Sequence, residues 1–254
     1  MAELKALIFD VDGTLADTER DGHRIAFNRA FAAAGLSWHW SVGLYGNLLK
    51  ISGGKERIRY FIHAYQAKVE PQHYSDALIA KLHLAKTEHY RDLLAEAVIP
   101  LRPGVERLLR QARQVGIRLA IATTSRFENA IALLETTLGP DSPNWFEVIA
   151  AGDIVPHKKP APDIYNYVLE KLDLAAKHCL VFEDTEHGLM AATQSGLKTV
   201  VTVNDYTQHQ DFSAATLVLS HLGEPNQPFT LIAGNPGYCP YSFDISFAQA
   251  LLKA

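Results

Sequence analysis

Short apolar runs recur along the chain, and several of them end abruptly in polar residues. The first run covers 4–9 and gives way directly to Asp10. The later runs cover 117–122, 146–151, 180–182, 199–203 and 216–219. Uninterrupted apolar runs of this kind are typical of strands covered on both faces, as in a parallel sheet. Helical patterns alternate with them over 104–115, 163–172 and 188–195. This alternation predicts an α/β fold with a doubly wound parallel sheet.

The pattern changes between the first two runs. There the spacing of apolar residues predicts helices only, over 18–34, 42–49, 55–68 and 75–96. Because no strand interrupts this stretch, we predict that residues 17–96 form a separate helical domain. It would be inserted into an α/β domain made of residues 1–16 and 97–254.

The segment 223–240 interrupts the regular alternation near the end of the chain. It is rich in Pro, Gly and Asn and shows no periodicity, which is typical of a loop. The pattern after it predicts a last helix over 246–253.

Composition argues against several classes of protein. The chain has 24 Lys and Arg against 28 Asp and Glu, a formal charge of −4, whereas nucleic-acid-binding proteins usually carry a basic excess. No apolar run reaches the ~18 residues of a membrane span, and the N-terminus lacks a signal-peptide pattern. The two cysteines, Cys179 and Cys239, cannot form a disulfide framework. We therefore expect a cytoplasmic protein without nucleic-acid or membrane partners, or a plastid stromal one if a transit peptide has been removed.

Polar residues follow the predicted strands at the points where these strands end. A parallel sheet brings its strand ends together, and it would gather one group of side chains: Asp10, Asp12, Thr123, Lys159, Glu183 and Asp184. Crowded carboxylates repel each other, so we expect a hard cation such as Mg²⁺ among them. The Thr123 hydroxyl and the Lys159 ammonium would donate to an anion. This combination indicates phosphoryl transfer to an aspartate.

The same residues carry a family resemblance. Asp10-Val11-Asp12-Gly13-Thr14, Thr123, Lys159-Pro160 and Glu183-Asp184 resemble, in this order, the four motifs of the haloacid dehalogenase superfamily. The resemblance implies a Rossmann-like core with an inserted helical cap. Within the superfamily, the chain is similar to the branch that holds beta-phosphoglucomutase and the CbbY phosphatases, and in that branch it most resembles the CbbY phosphatases. The residues that carry this closer similarity lie at 17–19, 23–28, 38, 40 and 52–58.

The resemblance assigns catalytic and metal-binding roles to the motif residues. Asp10 would attack phosphorus and form an aspartyl phosphate, and Asp12 would act as general acid and then as general base. Thr123 and Lys159 would hold the transferring phosphoryl oxygens. Mg²⁺ would be bound by the Asp10 carboxylate, the Asp12 backbone carbonyl and Asp184, and by Glu183 either directly or through water.

The resemblance also implies a sugar phosphate as substrate, and a bisphosphate such as xylulose 1,5-bisphosphate for this branch. The candidate substrate-binding residues are Glu19, His23, Tyr45, Gly53, Gly54, Lys55, Arg57, Thr124, Ser125 and Arg126. Residues 53–57 could form a second phosphate site, since glycines allow close backbone approach and a helix begins there. One departure from the branch pattern is the spacing between Glu19 and His23, which is one residue longer.

Other interpretations of the same residues stay open. Trp38, Trp40 and Tyr45 are more typical of packing inside the helical domain than of ligand contacts. A solvated helix face is the lesser alternative for Lys55 and Arg57. A phosphosugar mutase would use the same aspartyl phosphate but return the phosphoryl group to another hydroxyl. A non-catalytic phosphosugar-binding protein is a third hypothesis, which the intact motifs disfavour. We expect a monomer.

Overall fold

The computed structural model describes residues 3–51, 53–65, 75–96 and 99–253. The chain divides into two compact units, one of Met1–Asp17 and Pro100–Ala254 and one of Thr18–Ile99. We refer to them as the core unit and the helical unit. Ser52 and the predicted helical residues 66–68 lie outside the described residues.

A seven-stranded sheet forms the centre of the core unit, in the order β3-β2-β1-β4-β5-β6-β7. The strands are β1 (Ala6–Phe9), β2 (Arg118–Thr123), β3 (Phe146–Ala151), β4 (Cys179–Glu183), β5 (Lys198–Thr202), β6 (Leu217–Leu219) and β7 (Leu231–Ala233). The first six strands are parallel to one another. β1 is completely buried, as its apolar sequence predicts. The prediction of a doubly wound α/β sheet is confirmed.

The segment 223–240 was predicted to be a loop. This prediction is wrong for residues 231–233, which form β7. This strand pairs with β6 in the antiparallel direction at the edge of the sheet. It has only three residues, and Ile232 and Ala233 are exposed. A strand this short at a solvated edge has no room for the alternation that would reveal it in the sequence.

Five α-helices accompany the sheet in the described part of the core unit. They are α5 (Val105–Gln114), α6 (Phe127–Leu138), α7 (Asp163–Leu172), α8 (Glu186–Gln194) and α9 (Ile245–Lys253). Apolar faces such as Leu108, Leu109 and Ala112 of α5 are buried, which is the main source of helix stability in proteins. α6 was not predicted, although it buries Ala130, Leu133 and Leu134. None of the described helices combines the length and the apolar character that a bilayer crossing requires.

The helical unit contains a π-helical turn (Thr18–His23) that continues into α1 (Arg24–Ala33), followed by α2 (Val42–Leu48), α3 (Gly54–Tyr65) and α4 (Asp76–Ala95). The π-helical turn covers the stretch between Glu19 and His23, which we expected to be one residue longer than in the branch. A π-helix uses i→i+5 hydrogen bonds, so it accommodates an extra residue without breaking the helix.

Aromatic packing holds the helical unit together. Trp40 is fully buried, and its ring lies 4.6 Å from that of Phe27, 4.9 Å from Phe31 and 5.4 Å from Phe61 between centroids. Trp38 is also buried and meets Phe31 edge-on. Both tryptophans therefore pack inside this unit, which agrees with their structural interpretation.

Candidate active site

The strand order of the core unit brings the first and last motifs side by side. β1 and β4 pair in parallel with Phe9 opposite Phe182, and the next residues along the two strands are Asp10 and Glu183. The Asp10 amide donates to the Phe182 carbonyl at 3.0 Å, which extends the ladder to the first acidic residue. Two carboxylates thus lie at the carboxyl edge of the sheet, where ligands bind in open α/β folds.

Lys159 lies at the centre of this cluster. It comes from the loop between β3 and α7, and its side chain is 7% exposed. The Nζ atom donates to Asp10 Oδ1 at 2.7 Å, to Glu183 Oε1 at 2.5 Å and to the Ala122 carbonyl at 2.8 Å. Burial lowers the pKa of Lys159, but the charges of Asp10 and Glu183 outweigh burial and raise the pKa above its ordinary value. The side chain therefore stays an ammonium.

Three carboxylates crowd around this ammonium. One oxygen each from Asp10, Glu183 and Asp184 lies within 4.8 Å of the others, and all three residues are buried. Burial raises the pKa of Asp10 to about 8, with Lys159 opposing the rise and Glu183 and Asp12 adding to it. Burial, then repulsion from Asp10 and Glu183, raises the pKa of Asp184 well above its ordinary value. The cluster holds more negative charge than Lys159 neutralises.

Asp184 provides a specific indication of a cation-binding site. Its Oδ2 accepts a hydrogen bond from Asn204 Nδ2 at 2.7 Å, while its Oδ1 is buried and has no hydrogen-bond partner among the described residues. A buried carboxylate oxygen without a donor is unfavourable unless a cation contacts it. Hard cations such as Mg²⁺ prefer carboxylate oxygens, so this donor set fits a magnesium ion.

Asp12 and Ser125 are joined across the site. Ser125 Oγ donates a hydrogen bond to Asp12 Oδ2, and the Ser125 amide donates to Thr123 Oγ1 at 3.1 Å. Thr123 is buried at the end of β2, whereas Asp12 is only half-buried. A carboxylate at the rim of the site, oriented by a hydroxyl, is suited to exchange protons with a substrate.

Gly13 and Arg102 shape the turn that carries Asp12. Gly13 has φ +88°, and a Cβ there would lie 2.1 Å from Asp184 Oδ2, so only glycine fits. The buried Arg102 guanidinium donates to the carbonyls of Gly13, Thr202 and Ser220. This arginine ties the first motif to the strands on the far side of β4.

The helical unit gathers three of the predicted substrate-binding residues. The Tyr45 hydroxyl donates to Glu19 Oε2 at 2.6 Å, and Arg57 Nη1 donates to the same hydroxyl at 3.1 Å. The Arg57 guanidinium also lies 5.3 Å from the Tyr45 ring centroid. Tyr45 is therefore both a buried packing residue and the link in a hydrogen-bonded chain from Arg57 to Glu19.

His23 meets a lysine that the sequence did not single out. Lys86 Nζ lies 2.9 Å from His23 Nδ1, and the His23 ring packs on Tyr90 at 3.9 Å between centroids. Burial, then the charges of Lys86 and Arg57, lowers the pKa of His23 well below its ordinary value. The imidazole is therefore neutral, and since Lys86 can only donate, Nδ1 is the acceptor and Nε2 carries the hydrogen.

The remaining predicted binding residues do not gather in the same way. Gly54 begins α3 and its missing side chain makes room for His83, whose ring a Cβ would meet at 2.6 Å. Gly53 has φ +90°, and Lys55 is exposed. In the core unit, Thr124 and Arg126 are exposed as well.

The structure adds four polar residues to the sites predicted from sequence: Tyr165, Asn204 and Arg102 in the core unit, and Lys86 in the helical unit. Asn204 follows the predicted strand 199–203, so the strand-end rule that found Asp10 could have found it. Tyr165 lies inside α7, and no local pattern signals that its hydroxyl reaches a strand end. Lys86 and Arg102 likewise act through partners distant in the sequence.

Comparison with known proteins agrees with this arrangement. The haloacid dehalogenase-like hydrolase family matches residues 4–196, which is more than half of the chain. The match includes every motif residue described above. The CbbY protein of Rhodobacter capsulatus is 50% identical over 213 residues, covering 84% of this chain and 91% of that protein.

Two further relatives cover most of the chain. The plasmid CbbY protein of Cupriavidus necator is 45% identical over 229 residues, covering 89% of this chain and 88% of the relative. The crystal structure of an aspartate-to-asparagine mutant of Rhodobacter sphaeroides CbbY in complex with xylulose 1,5-bisphosphate is 44% identical, with a TM-score of 0.72. It covers 86% of this chain and 94% of the solved one. The resemblance noted in the sequence is confirmed: the chain belongs to the haloacid dehalogenase-like hydrolase family and is a phosphoric monoester hydrolase.

Proposed function

We propose that the protein is a Mg²⁺-dependent sugar-phosphate phosphatase that acts through an aspartyl phosphate on Asp10. The observation that carries this proposal is the contact of Lys159 Nζ with both Asp10 and Glu183 beside the acidic cluster. A carboxylate and a phosphate dianion repel each other, so a cation must offset their charge before the carboxylate can attack. The cluster supplies one ammonium and ligands for a metal ion.

In the first step, a carboxylate oxygen of Asp10 attacks phosphorus. The bond between phosphorus and the sugar oxygen breaks, and Asp12 donates a proton to the departing oxygen. Lys159 holds the transferring phosphoryl oxygens and offsets the charge of Asp10, while Thr123 donates a hydrogen bond to the same group. The products of this step are the free sugar hydroxyl and an acyl phosphate on Asp10.

In the second step, water attacks the phosphorus of the acyl phosphate. Asp12, now ionised, takes a proton from this water, and the bond between phosphorus and the Asp10 oxygen breaks. Inorganic phosphate leaves and both carboxyl groups return to their starting state. The bond from Ser125 to Asp12 orients this carboxylate for both proton transfers.

The metal ion would be held by Asp10, Asp184 and the Asp12 backbone carbonyl. When bound, it neutralises charge on the phosphoryl oxygens and positions them for in-line attack. Glu183 already accepts hydrogen bonds from Lys159 and Tyr165 on Oε1 and from the Asp184 amide on Oε2. We therefore assign Glu183 to the metal through water, with its main contacts on the protein.

We propose a sugar bisphosphate, with xylulose 1,5-bisphosphate as the first candidate, because a solved CbbY relative binds that compound. The helical unit would act as the specificity-determining cap. Glu19, Tyr45 and His23 offer groups that can bind sugar hydroxyls, and Arg57 and Lys55 offer positive charge for a second phosphate. Action as a monomer in the cytoplasm, or in a plastid stroma, stays a prediction.

A phosphate-release screen over sugar mono- and bisphosphates tests the function. We expect stoichiometric release of phosphate, with a sugar bisphosphate as the preferred substrate. EDTA should stop the reaction and Mg²⁺ should restore it. Isomerised sugar phosphate with little free phosphate would instead identify a mutase, and no turnover of any ester would contradict the proposal.

A further inference from the structure

We propose that Tyr165 is a positioning residue of this active site: its hydroxyl fixes the Glu183 carboxylate and thereby holds Lys159 against Asp10. The inference rests on the proposed function and deepens it, since Tyr165 lies outside the four motifs.

Tyr165 reaches the site from the interior of the core unit. It lies on α7 and is fully buried, in the apolar cluster that includes Ile8 and Val181. Its hydroxyl donates to Glu183 Oε1 at 2.5 Å. Lys159 Nζ lies 5.3 Å from the centroid of the Tyr165 ring, so the same side chain contacts both members of the Lys159–Glu183 pair.

The Glu183 carboxylate is restrained on every side that the structure describes. Oε1 accepts from both Tyr165 and Lys159, and Oε2 accepts from the Asp184 amide at 3.2 Å. Gly188 of α8 closes the remaining side, because a Cβ there would lie 2.1 Å from either oxygen. Without the tyrosine hydroxyl, Lys159 would be the one side-chain donor to Oε1 left among the residues that the structure describes.

This arrangement matters for catalysis because Lys159 has a double task. Its Nζ must neutralise Asp10 before attack and then hold the phosphoryl oxygens, so a small displacement changes the stabilisation of the transition state. The Tyr165 hydroxyl does not touch Asp10 in the described contacts. Its effect on the reaction therefore passes through Glu183 and Lys159.

Replacement of Tyr165 by phenylalanine tests the role, since it removes the hydroxyl and keeps the buried ring. Phosphate release should show a kcat about tenfold lower, the loss expected for a hydrogen bond to a charged group, with KM changed less than about twofold. Tyr167→Phe is the matched control, because Tyr167 lies on the same helix and packs on the same apolar cluster. It should keep its kcat.

A double substitution identifies the path of the effect. If Tyr165 acts through Glu183, the phenylalanine change should alter kcat by less than about twofold in a Glu183→Gln background. A second tenfold loss in that background would overturn the proposal. So would a Tyr165→Phe variant that is less stable to heat but has an unchanged kcat.

Amine labelling gives a readout independent of turnover. Dilute acetic anhydride should label Lys159 slowly compared with its exposed neighbour Lys158, and mass spectrometry of the shared peptide gives the ratio. We expect the ratio of Lys159 to Lys158 labelling to rise several-fold in Tyr165→Phe and to stay constant in Tyr167→Phe. An unchanged ratio in Tyr165→Phe would overturn the positioning role. If the unsubstituted protein released no phosphate, the proposed function would fail, while this ratio would still test Tyr165.

Discussion

At the scale of single residues, burial decides which groups carry charge. Asp10 and Asp184 have raised pKa values because they lie together in the interior, whereas Lys159 keeps its proton because it faces two carboxylates. His23 shows the opposite effect in the helical unit, where burial and two cations favour the neutral ring. Each shift follows from the neighbours of the group and not from its residue type.

The His23 environment predicts a pH dependence of stability. The folded protein keeps His23 neutral below its ordinary pKa of 6.5, while the unfolded chain takes up a proton there. The unfolding free energy should therefore fall as pH decreases from about 7 to about 5. Urea unfolding of His23→Gln should show a shallower decrease over this range than the unsubstituted protein.

A control and a contrary outcome are available for the same experiment. His63→Gln replaces an exposed histidine on α3 of the same unit, and it should keep the original slope. Equal slopes for His23→Gln and the unsubstituted protein would mean that His23 is not held neutral.

At the scale of elements, α8 packs closely against the end of β4, and the contact leaves no room for a side chain at position 188. Gly188 lies within this helix, and an added Cβ would lie 2.0 Å from Glu183 Cδ. Alanine is usually better than glycine inside a helix by about 1 kcal/mol, but here the clash should reverse the sign. We expect Gly188→Ala to lower the unfolding free energy by about 1–3 kcal/mol and to reduce phosphate release.

An exposed position on the same helix provides the control. Thr193 is exposed on α8, so Thr193→Ala should leave stability unchanged or slightly improved. Urea unfolding of the two variants measures the difference. A Gly188→Ala protein as stable as Thr193→Ala would show that Glu183 can move away from α8.

The elements also show how far the sequence could predict the site. Continuous apolar runs identified six strands, and the rule that parallel strand ends converge placed Asp10, Lys159 and Glu183 together. The same rule would have given Asn204. It could not give Tyr165, because which face of α7 meets the end of β4 depends on packing between elements. β7 was not predicted because a three-residue edge strand is too short to show a periodic pattern.

Contacts within the helical unit were harder to predict for a different reason. Helical spacing shows which residues share a face, but the bond from Lys86 to His23 joins α4 to the π-helical turn across the unit. For the π-helical turn, the sequence indicated only a longer spacing than expected between Glu19 and His23. Such contacts depend on how helices pack, which apolar periodicity does not determine.

At the scale of the whole molecule, two units divide the work in our proposal. The core unit carries the reaction and the helical unit selects the substrate. Lys55→Ala should therefore raise KM for a sugar bisphosphate about tenfold, since one charge-assisted contact to a phosphate is lost, and change turnover of p-nitrophenyl phosphate by less than about twofold. Steady-state kinetics on both substrates measures the difference.

Lys81→Ala is the control for this prediction, because Lys81 is also an exposed lysine of the helical unit. It should affect neither substrate. Equal losses on both substrates for Lys55→Ala would remove Lys55 from a role in specificity.

In the proposed mechanism Asp10 takes up the phosphoryl group, and trapping this phosphorylated protein is the sharpest test. With Asp12→Asn and p-nitrophenyl phosphate, attack needs no general acid because the leaving group is already acidic, whereas hydrolysis lacks its base. We expect acid-quenched protein to carry one phosphoryl group, which borohydride reduction and peptide mass spectrometry place on Asp10. Turnover with no phosphoryl group on the protein, or with one on another residue, would contradict the account.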